Sequence, residues 1–321
     1  MRDLLEVKDL HTNFYTYRGV VKALGGVDLK IGREEFFGLV GETGCGKSVT
    51  ALSILRLIEE PGRIESGEVL FNEQDLLKLT EEEMERVRGK DISMIFQEPK
   101  TALNPVLNIG FQIAEAISHA YNISIDEALD RVENVLREVE MADPANVAKK
   151  YPHELSGGMA QRVLIGMAIA TEPKLLIADE PTSSLDVSVQ SQIMKLINTL
   201  IEKRRISVLL ITHNLGVVAE NCSRVGVMYA GNLVECADVK TIFSEPAHPY
   251  TKGLIDVIKM RGERGKLSTI TGLVPDLVNP PSGCRFHPRC QHAMPICRER
   301  HPKSVTLSPG HSVSCFLYGE A

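Results

Sequence analysis

Gly41-Glu42-Thr43-Gly44-Cys45-Gly46-Lys47-Ser48 matches the pattern GxxxxGK[ST] in full. It follows the apolar run Phe36 to Val40 and precedes a helical pattern, Val49 to Ile58. That context is the one a phosphate-binding loop needs. Glycines let the backbone curl so that several N–H groups converge on phosphate oxygens, and a helix start adds partial positive charge. Lys47 would neutralise the outer phosphates, and Ser48 would offer a hydroxyl to Mg²⁺. Cys45 occupies a free position of the pattern and reads as a small packing residue. A second run, Leu175 to Ala178, ends in Asp179-Glu180. A buried strand ending in two carboxylates can hold Mg²⁺ through water (Asp179) and polarise an attacking water (Glu180).

Seven cysteines raise a different chemistry: Cys45, Cys222, Cys236, Cys284, Cys290, Cys297 and Cys315. The last four are spaced x5, x6 and x17. Four thiolates can hold a [4Fe–4S] cluster or Zn²⁺. His287, His292, His301 and His311 are alternative ligands nearby. An odd cysteine count speaks against a disulfide framework. Cys222 and Cys236 read as packing residues.

These residues need elements to position them. Phe36–Val40, Leu175–Ala178, Ser207–Ile211 and Arg224–Tyr229 are short apolar runs separated by helical patterns. That alternation predicts a parallel sheet with crossover helices. From about residue 98 to 163 no strand signal stands out. Ser124-Ile125-Asp126-Glu127 predicts a capping box, followed by apolar residues at helical spacing, Ile125, Ala128, Leu129, Val132, Val135, Leu136 and Val139. This predicts a helical subdomain inserted in the α/β core. After Pro246 proline, histidine and cysteine become frequent, which predicts no long regular elements.

Composition bounds the function. Lys plus Arg is 36 and Asp plus Glu is 42, a net charge of −6. That argues against coating nucleic acid by bulk charge. The longest near-continuous apolar run is Val163 to Ala170, too short to span a bilayer, which takes about 20 residues. Met1 to Asn13 lacks the apolar core of a signal peptide, so a cytosolic location is expected.

Leu155-Ser156-Gly157-Gly158-Met159-Ala160-Gln161 begins a further helical pattern, with Ser156 standing 23 residues before Asp179. Together with the phosphate loop, Asp179-Glu180 and a later histidine, it resembles the signature motif of the ATP-binding cassette (ABC) family. The resemblance implies an α/β P-loop ATPase fold: a RecA-like parallel-sheet core, an antiparallel β subdomain and an inserted helical subdomain. Ser156, Gly157, Gly158 and Gln161 would contact ATP held by a partner subunit, with ATP sandwiched in a head-to-tail dimer. Gln97 resembles the glutamine that joins Mg²⁺ and water. Ser184-Leu185-Asp186 resembles the loop that crosses the dimer interface. His213 resembles the histidine that contacts the γ-phosphate. Phe14, with Tyr17 as the alternative, would stack on adenine.

Gln97 to Pro105, His248 to Leu254 and the cysteine segment resemble the ATPases of bacterial and archaeal dipeptide, oligopeptide and nickel importers. The resemblance covers essentially the whole chain. It implies residues 1–240 as nucleotide-binding domain and residues 241–321 as a small, irregular, cysteine-rich C-terminal extension. It associates Cys284, Cys290, Cys297 and Cys315 with an iron–sulfur cluster, with Zn²⁺ as the alternative. It implies two membrane permease subunits, a second ATPase subunit (identical or related), and an extracytoplasmic peptide-binding protein. The location implied is the cytoplasmic face of the cell membrane. Alternatives are a soluble ABC ATPase of nucleic-acid metabolism, or an importer ATPase for nickel or oligosaccharide.

Overall fold

The structure is a computed structural model that describes residues 3–183, 185–260, 270 and 272–319. The strands in chain order are β1 (Leu5–Thr16), β2 (Gly19–Ile31), β3 (Phe36–Val40), β4 (Gly62–Phe71), β5 (Gln74–Asp75), β6 (Ile92–Ile95), β7 (Leu175–Asp179), β8 (Ser207–Ile211), β9 (Arg224–Tyr229), β10 (Asn232–Asp238), β11 (Val305–Ser308) and β12 (His311–Val313). The chain divides into two compact units.

The first unit comprises Met1–Gly32, Phe36–Leu77 and Ile211–Ala321. It holds an antiparallel sheet in the order β2-β1-β4-β5 and a run of strands in the order β11-β12-β10-β9-β3. In β1, Leu5, Val7, Leu10 and Thr12 point inward, as a half-buried strand requires. β3 runs parallel to β9, from Phe37 opposite Arg224 to Val40 opposite Val227. β10 pairs antiparallel with both β9 and β12. The core gathers Val40, Val218, Val225, Val227, Tyr229, Tyr250 and Phe286.

The second unit comprises Arg33–Glu35 and Lys78–Leu210. Its strands lie in the order β8-β7-β6, with β6 parallel to β7 and both β7 and β8 buried throughout. Burial on both faces explains why they read as unbroken apolar runs rather than alternations. The helices Ile109–Tyr121, Ile125–Glu138 and Gly157–Ala170 pack on one another. The expected capping box is present: Glu127 N–H donates to Ser124 Oγ at 3.3 Å, and Ser124 N–H donates to Glu127 Oε2 at 3.2 Å. Ala128, Val132, Val135, Leu136 and Val139 are buried, but Leu129 is exposed. At 100° per residue it lies about 20° from Leu136, at the edge of the buried stripe, where no neighbour covers it.

The region after Pro246 is more regular than its composition predicts. A 12-residue helix, Pro249–Met260, follows directly on His248. Proline costs nothing at a first helical position, because that N–H has no intrahelical partner. A buried carboxylate ties this region to the sheet. Glu235 on β10 accepts the N–H groups of Ala247 (2.7 Å) and His248 (2.8 Å), and pairs with His311 Nε2 at 2.9 Å. Charge-assisted bonds of this kind are the strong ones, and a carboxylate buried without them would be costly. Arg285 donates to the carbonyls of Lys22 and Ala230, and Ser314 N–H donates to Val234 O at 2.8 Å. Among the described residues no helix is long and apolar enough to cross a membrane.

His248 is 1 % exposed, and burial pushes its imidazole from 6.5 down to about 3. Its Nδ1 accepts the N–H of Tyr250 at 3.1 Å, so the folded ring is neutral. Between those two values the unfolded chain binds a proton that the folded chain refuses, so stability rises with pH across that window and is lost as pH falls. Urea unfolding should show about 1–1.5 kcal/mol lost from this group between about pH 7 and about pH 5.5. His248→Asn, which keeps an acceptor and cannot titrate there, should remove that part of the slope.

Candidate functional site

In the first unit β3 delivers the chain into the phosphate loop, and the helix Lys47–Ile54 takes it out. Gly44 has φ +80° and Gly46 has φ +105°, a region that side chains with a Cβ rarely enter. Gly41 is needed for space: a Cβ there would meet Met228 O at 2.2 Å. The Lys47 side chain folds across the loop. Its Nζ donates to Gly41 O at 2.8 Å and Glu42 O at 3.2 Å, and the residue is only 7 % exposed. The ammonium is thus held within the loop by neutral carbonyls. Thr50 braces the helix start, its N–H and Oγ1 both donating to Gly46 O at 2.9 Å.

Cys45 is buried, as expected of a packing residue. Burial raises its thiol pKa, opposed by the charge of Lys47. Thr43 and Gly44 are exposed at the mouth of the loop, and Glu42, Ser48 and Val49 are half-buried. The β9–β10 turn supports the loop from below: Gly231 N–H donates to Cys45 O at 2.8 Å.

His213 lies in the same unit and is exposed. Its neighbours fix its backbone. Thr212 N–H donates to Leu39 O at 3.2 Å, one residue before Val40 ends β3. Asn214 Oδ1 accepts the N–H groups of Gly216 (3.0 Å) and Val217 (3.4 Å), capping the helix Leu215–Asn221. Phe14 sits on β1, its ring so close to Gly62 that a Cβ there would meet it at 2.7 Å. Tyr17, in the turn between β1 and β2, is 99 % exposed. Tyr17 therefore has a free ring, and Phe14 has a partly covered one.

The second unit carries the acidic pair. Asp179 ends β7 and is buried. Glu180 follows at φ +48°, a left-handed backbone in a non-glycine residue, and such strain often marks a functional position. Ser183 N–H and Oγ both donate to Glu180 O, at 3.2 and 3.1 Å. Beyond it, Gln190 Nε2 donates to Thr182 O (2.8 Å) and Leu185 O (3.0 Å), holding the loop that leads to Asp186. Asp186 is exposed at the start of the helix Val187–Arg204. Ser184 lies outside the described residues.

Ser156 is exposed and caps the helix Gly157–Ala170, its Oγ accepting the N–H of Met159 at 3.3 Å. Gly157 and Gly158 stand close to Leu185 and Val189, where a Cβ would come within 3.5 and 3.1 Å. Gln161, one turn on, is 1 % exposed and faces the interior. Gln97 is exposed just past β6. Downstream of it, the buried Gln112 clamps the chain through three bonds: Asn104 N–H donates to its Oε1 (2.8 Å), and its Nε2 donates to Asn104 O (3.0 Å) and Leu107 O (2.9 Å).

The sites are thus a glycine-rich phosphate cradle with a histidine in one unit, and a carboxylate pair, a glutamine and a serine-capped helix start in the other. A family model described as ABC transporter matches residues 24–183, and one described as oligopeptide/dipeptide transporter, C-terminal region, matches residues 234–297. The chain is 49 % identical over 320 residues to the probable peptide ABC transporter ATP-binding protein y4tR of Sinorhizobium fredii, covering 99 % of this chain and 96 % of that one. The chain belongs to the ABC transporter family of ATP-binding subunits.

Two Bacillus subtilis proteins resemble this ABC subunit over nearly their whole lengths. Oligopeptide transport ATP-binding protein AppD is 47 % identical (100 % of this chain, 98 % of that one), and dipeptide transport ATP-binding protein DppD is 46 % identical (99 % and 95 %). Among solved structures, a dimeric ATP-binding cassette in a post-hydrolysis state, bound to ADP and Pi, superposes with a TM-score of 0.66 at 26 % identity, covering 73 % of this chain and 98 % of that one. The cbiO1 protein from Clostridium perfringens, part of an ABC transporter complex, gives a TM-score of 0.64 at 26 % identity, covering 82 % and 96 %. The subunit therefore has the P-loop ABC ATPase fold, and it is an ATPase.

The four tail cysteines of this ABC subunit come into one neighbourhood. Burial raises the thiols of Cys284 (to about 11), Cys290 and Cys315, and the nearby cysteine thiolates raise them further. Yet among the described residues no three His, Cys, Asp or Glu side chains group closely enough to hold a metal ion. The expected [4Fe–4S] or Zn²⁺ site gains no support from this arrangement. Packing and hydrogen bonds already hold the segment, since Cys284 N–H donates to Cys297 O at 2.8 Å and both Cys284 and Cys290 pack on the core around Tyr250.

Sequence reading also missed two supporting residues of the ABC site, Gln112 and Arg289. Neither belongs to a phosphate-binding motif, and only contact with a backbone or with Glu42 reveals them.

Gly44 and Gly46 separate strain from crowding. A Cβ at Gly44 meets nothing within 4 Å, whereas one at Gly46 meets Leu24 Cδ2 at 2.9 Å and Ala23 O at 3.0 Å. Gly44→Ala should cost about 1 kcal/mol through backbone strain alone, and Gly46→Ala roughly 2–3 kcal/mol. Denaturant unfolding of the two variants, with nucleotide titration alongside, reads the difference.

Proposed function

We propose that this chain is the ATP-hydrolysing subunit of a peptide importer. The observation that carries the reading is near-half identity, over the full length, to proteins named as peptide, oligopeptide and dipeptide transport ATP-binding subunits. The match of residues 234–297 to a C-terminal region named for oligopeptide and dipeptide transporters supports the cargo class. On this reading residues 1–240 are the nucleotide-binding domain, with the helical subdomain at about 98–163, and residues 241–321 are a C-terminal extension.

The residue roles follow from their chemistry. The loop Gly41 to Ser48 binds the phosphates through backbone N–H groups and the Lys47 ammonium. Ser48, Gln97 and Asp179 each carry an oxygen donor that would suit Mg²⁺, whose charge would offset that of the phosphate oxygens. Glu180 accepts a proton from the attacking water, and His213 donates to the γ-phosphate as charge builds there. Phe14 or Tyr17 offers a face to adenine. Ser156, Gly157 and Gly158 form a second helix start for phosphate, with Asp186 beside it; they serve the nucleotide of a partner ATPase subunit, identical or related, while the expected contact from Gln161 is lost because its side chain is buried in the interior. Closure of two subunits on two ATP molecules moves the helical subdomains. The segment Gln97 to Pro105 passes that motion to two membrane permeases, which place the subunit peripherally on the cytoplasmic face. An external binding protein delivers the peptide, so this chain handles only nucleotide.

Glu180→Gln should lower ATP turnover by about 100-fold or more while ATP stays bound and the dimer persists in size-exclusion chromatography. Unchanged turnover removes the assigned role. Coexpression with a pair of peptide-importer permease subunits should yield a membrane complex retained through purification. If no permease binds and DNA or RNA instead raises turnover, the importer reading falls.

A further inference from the structure

Glu42, the second residue of the phosphate loop, is gripped by the C-terminal segment. Arg289, 247 positions downstream, donates from Nη1 to Glu42 Oε2 at 2.8 Å and from Nη2 to Glu42 Oε1 at 3.1 Å. Two parallel bonds between a guanidinium and a carboxylate fix both planes as well as both charges. The arginine is itself held in place. Nη2 donates to Ile270 O at 3.2 Å, Nη1 donates to Tyr229 Oη at 3.3 Å, and the guanidinium carbon lies 5.6 Å from the centre of the Tyr229 ring. Its side chain is 6 % exposed.

A second contact reaches the same loop residue. Glu42 N–H donates to the buried Tyr250 Oη at 3.1 Å. Tyr250, Tyr229 and Phe286 pack as one cluster, with ring centres 4.7, 5.0 and 5.5 Å apart. Glu42 is therefore fixed through its amide by the helix Pro249–Met260 and through its carboxylate by Arg289. Its carbonyl meanwhile accepts from Lys47 Nζ at 3.2 Å.

The chemistry gives this contact a purpose. A phosphate loop must take up a polyanion, and a carboxylate in that loop works against it by repulsion. Pairing with a buried guanidinium cancels the charge and fixes the side chain. We propose that Arg289 is a positioning residue for nucleotide binding: it neutralises and immobilises Glu42 so that the first half of the phosphate loop is set before ATP arrives. The C-terminal segment is in this way part of the ATP site, although it touches no nucleotide. The inference rests on the ATPase reading of the loop.

The test compares MgATP affinity in the full chain, by titration against a fluorescent ATP analogue, with the melting temperature read in parallel. Arg289→Ala should weaken MgATP binding by about 10-fold or more, and Arg289→Lys should recover part of the loss because it restores charge without the fork. Removing the stranded carboxylate should rescue the defect: Glu42→Gln combined with Arg289→Ala should bind within about threefold of Glu42→Gln alone. A merely structural arginine would lower the melting temperature and leave affinity unrescued in the double variant, and that result overturns the proposal. So does unchanged affinity in Arg289→Ala. Should Arg289→Ala fail to fold, the same comparison is made with Arg289→Lys in the two backgrounds. Failure of the unaltered chain to bind MgATP would defeat the ATPase reading itself, before any variant is compared.

Discussion

A loop that gathers backbone N–H groups around negative charge is the constraint on which the other features depend. Such a loop needs left-handed backbone at set positions, met here by Gly44 and Gly46. It needs a close approach to a neighbouring strand, met by Gly41 beneath Met228 O. It also needs a cation held where phosphate charge will be, met by Lys47 on two carbonyls. None of these is a low-energy choice for an isolated peptide. A glycine-rich turn pays conformational entropy, and a buried ammonium loses its hydration. The strands β3 and β9, the turn at Gly231 and the helix Lys47–Ile54 exist in the arrangement that offsets those costs.

The C-terminal segment follows the same logic from the other side. A proline- and cysteine-rich stretch has little core of its own. It gains stability by borrowing one, through Phe286 on the tyrosine cluster, β12 on β10, and His311 on the buried Glu235. That borrowed core is also the one that backs the phosphate loop. A tail whose composition suggests a separate metal-braced module is, by contact, a support for nucleotide chemistry.

Much of the site was legible in the linear chain because its chemistry is local. A phosphate loop is eight consecutive residues, and the strand-end carboxylates are two. The cap at Ser124 is likewise local, since Ser124 and Glu127 satisfy each other's backbone within one turn. Legibility failed where partners are far apart. Leu129 fits an apolar helical pattern, yet it is exposed, because periodicity alone does not set how wide a stripe the neighbours cover. The helix Pro249–Met260 was obscured by proline content, although its proline sits where a helix tolerates one. Four cysteines at one end suggest ligands, but among the described residues spacing does not become coordination.

The phosphate loop, the acidic strand end, the short buried strands and the helix caps can be read directly from the order of residues. Each depends on residue types within a few positions, where backbone geometry and hydrogen bonding are settled locally. What holds those parts in place emerges from the folded chain: Arg289 on Glu42, Gln112 on the chain after Gln97, and Glu235 on Ala247, His248 and His311. Such pairings couple charges and polar groups across up to 247 positions. Their worth comes from burial in a low-dielectric interior, and no stretch of sequence states which groups will be buried together.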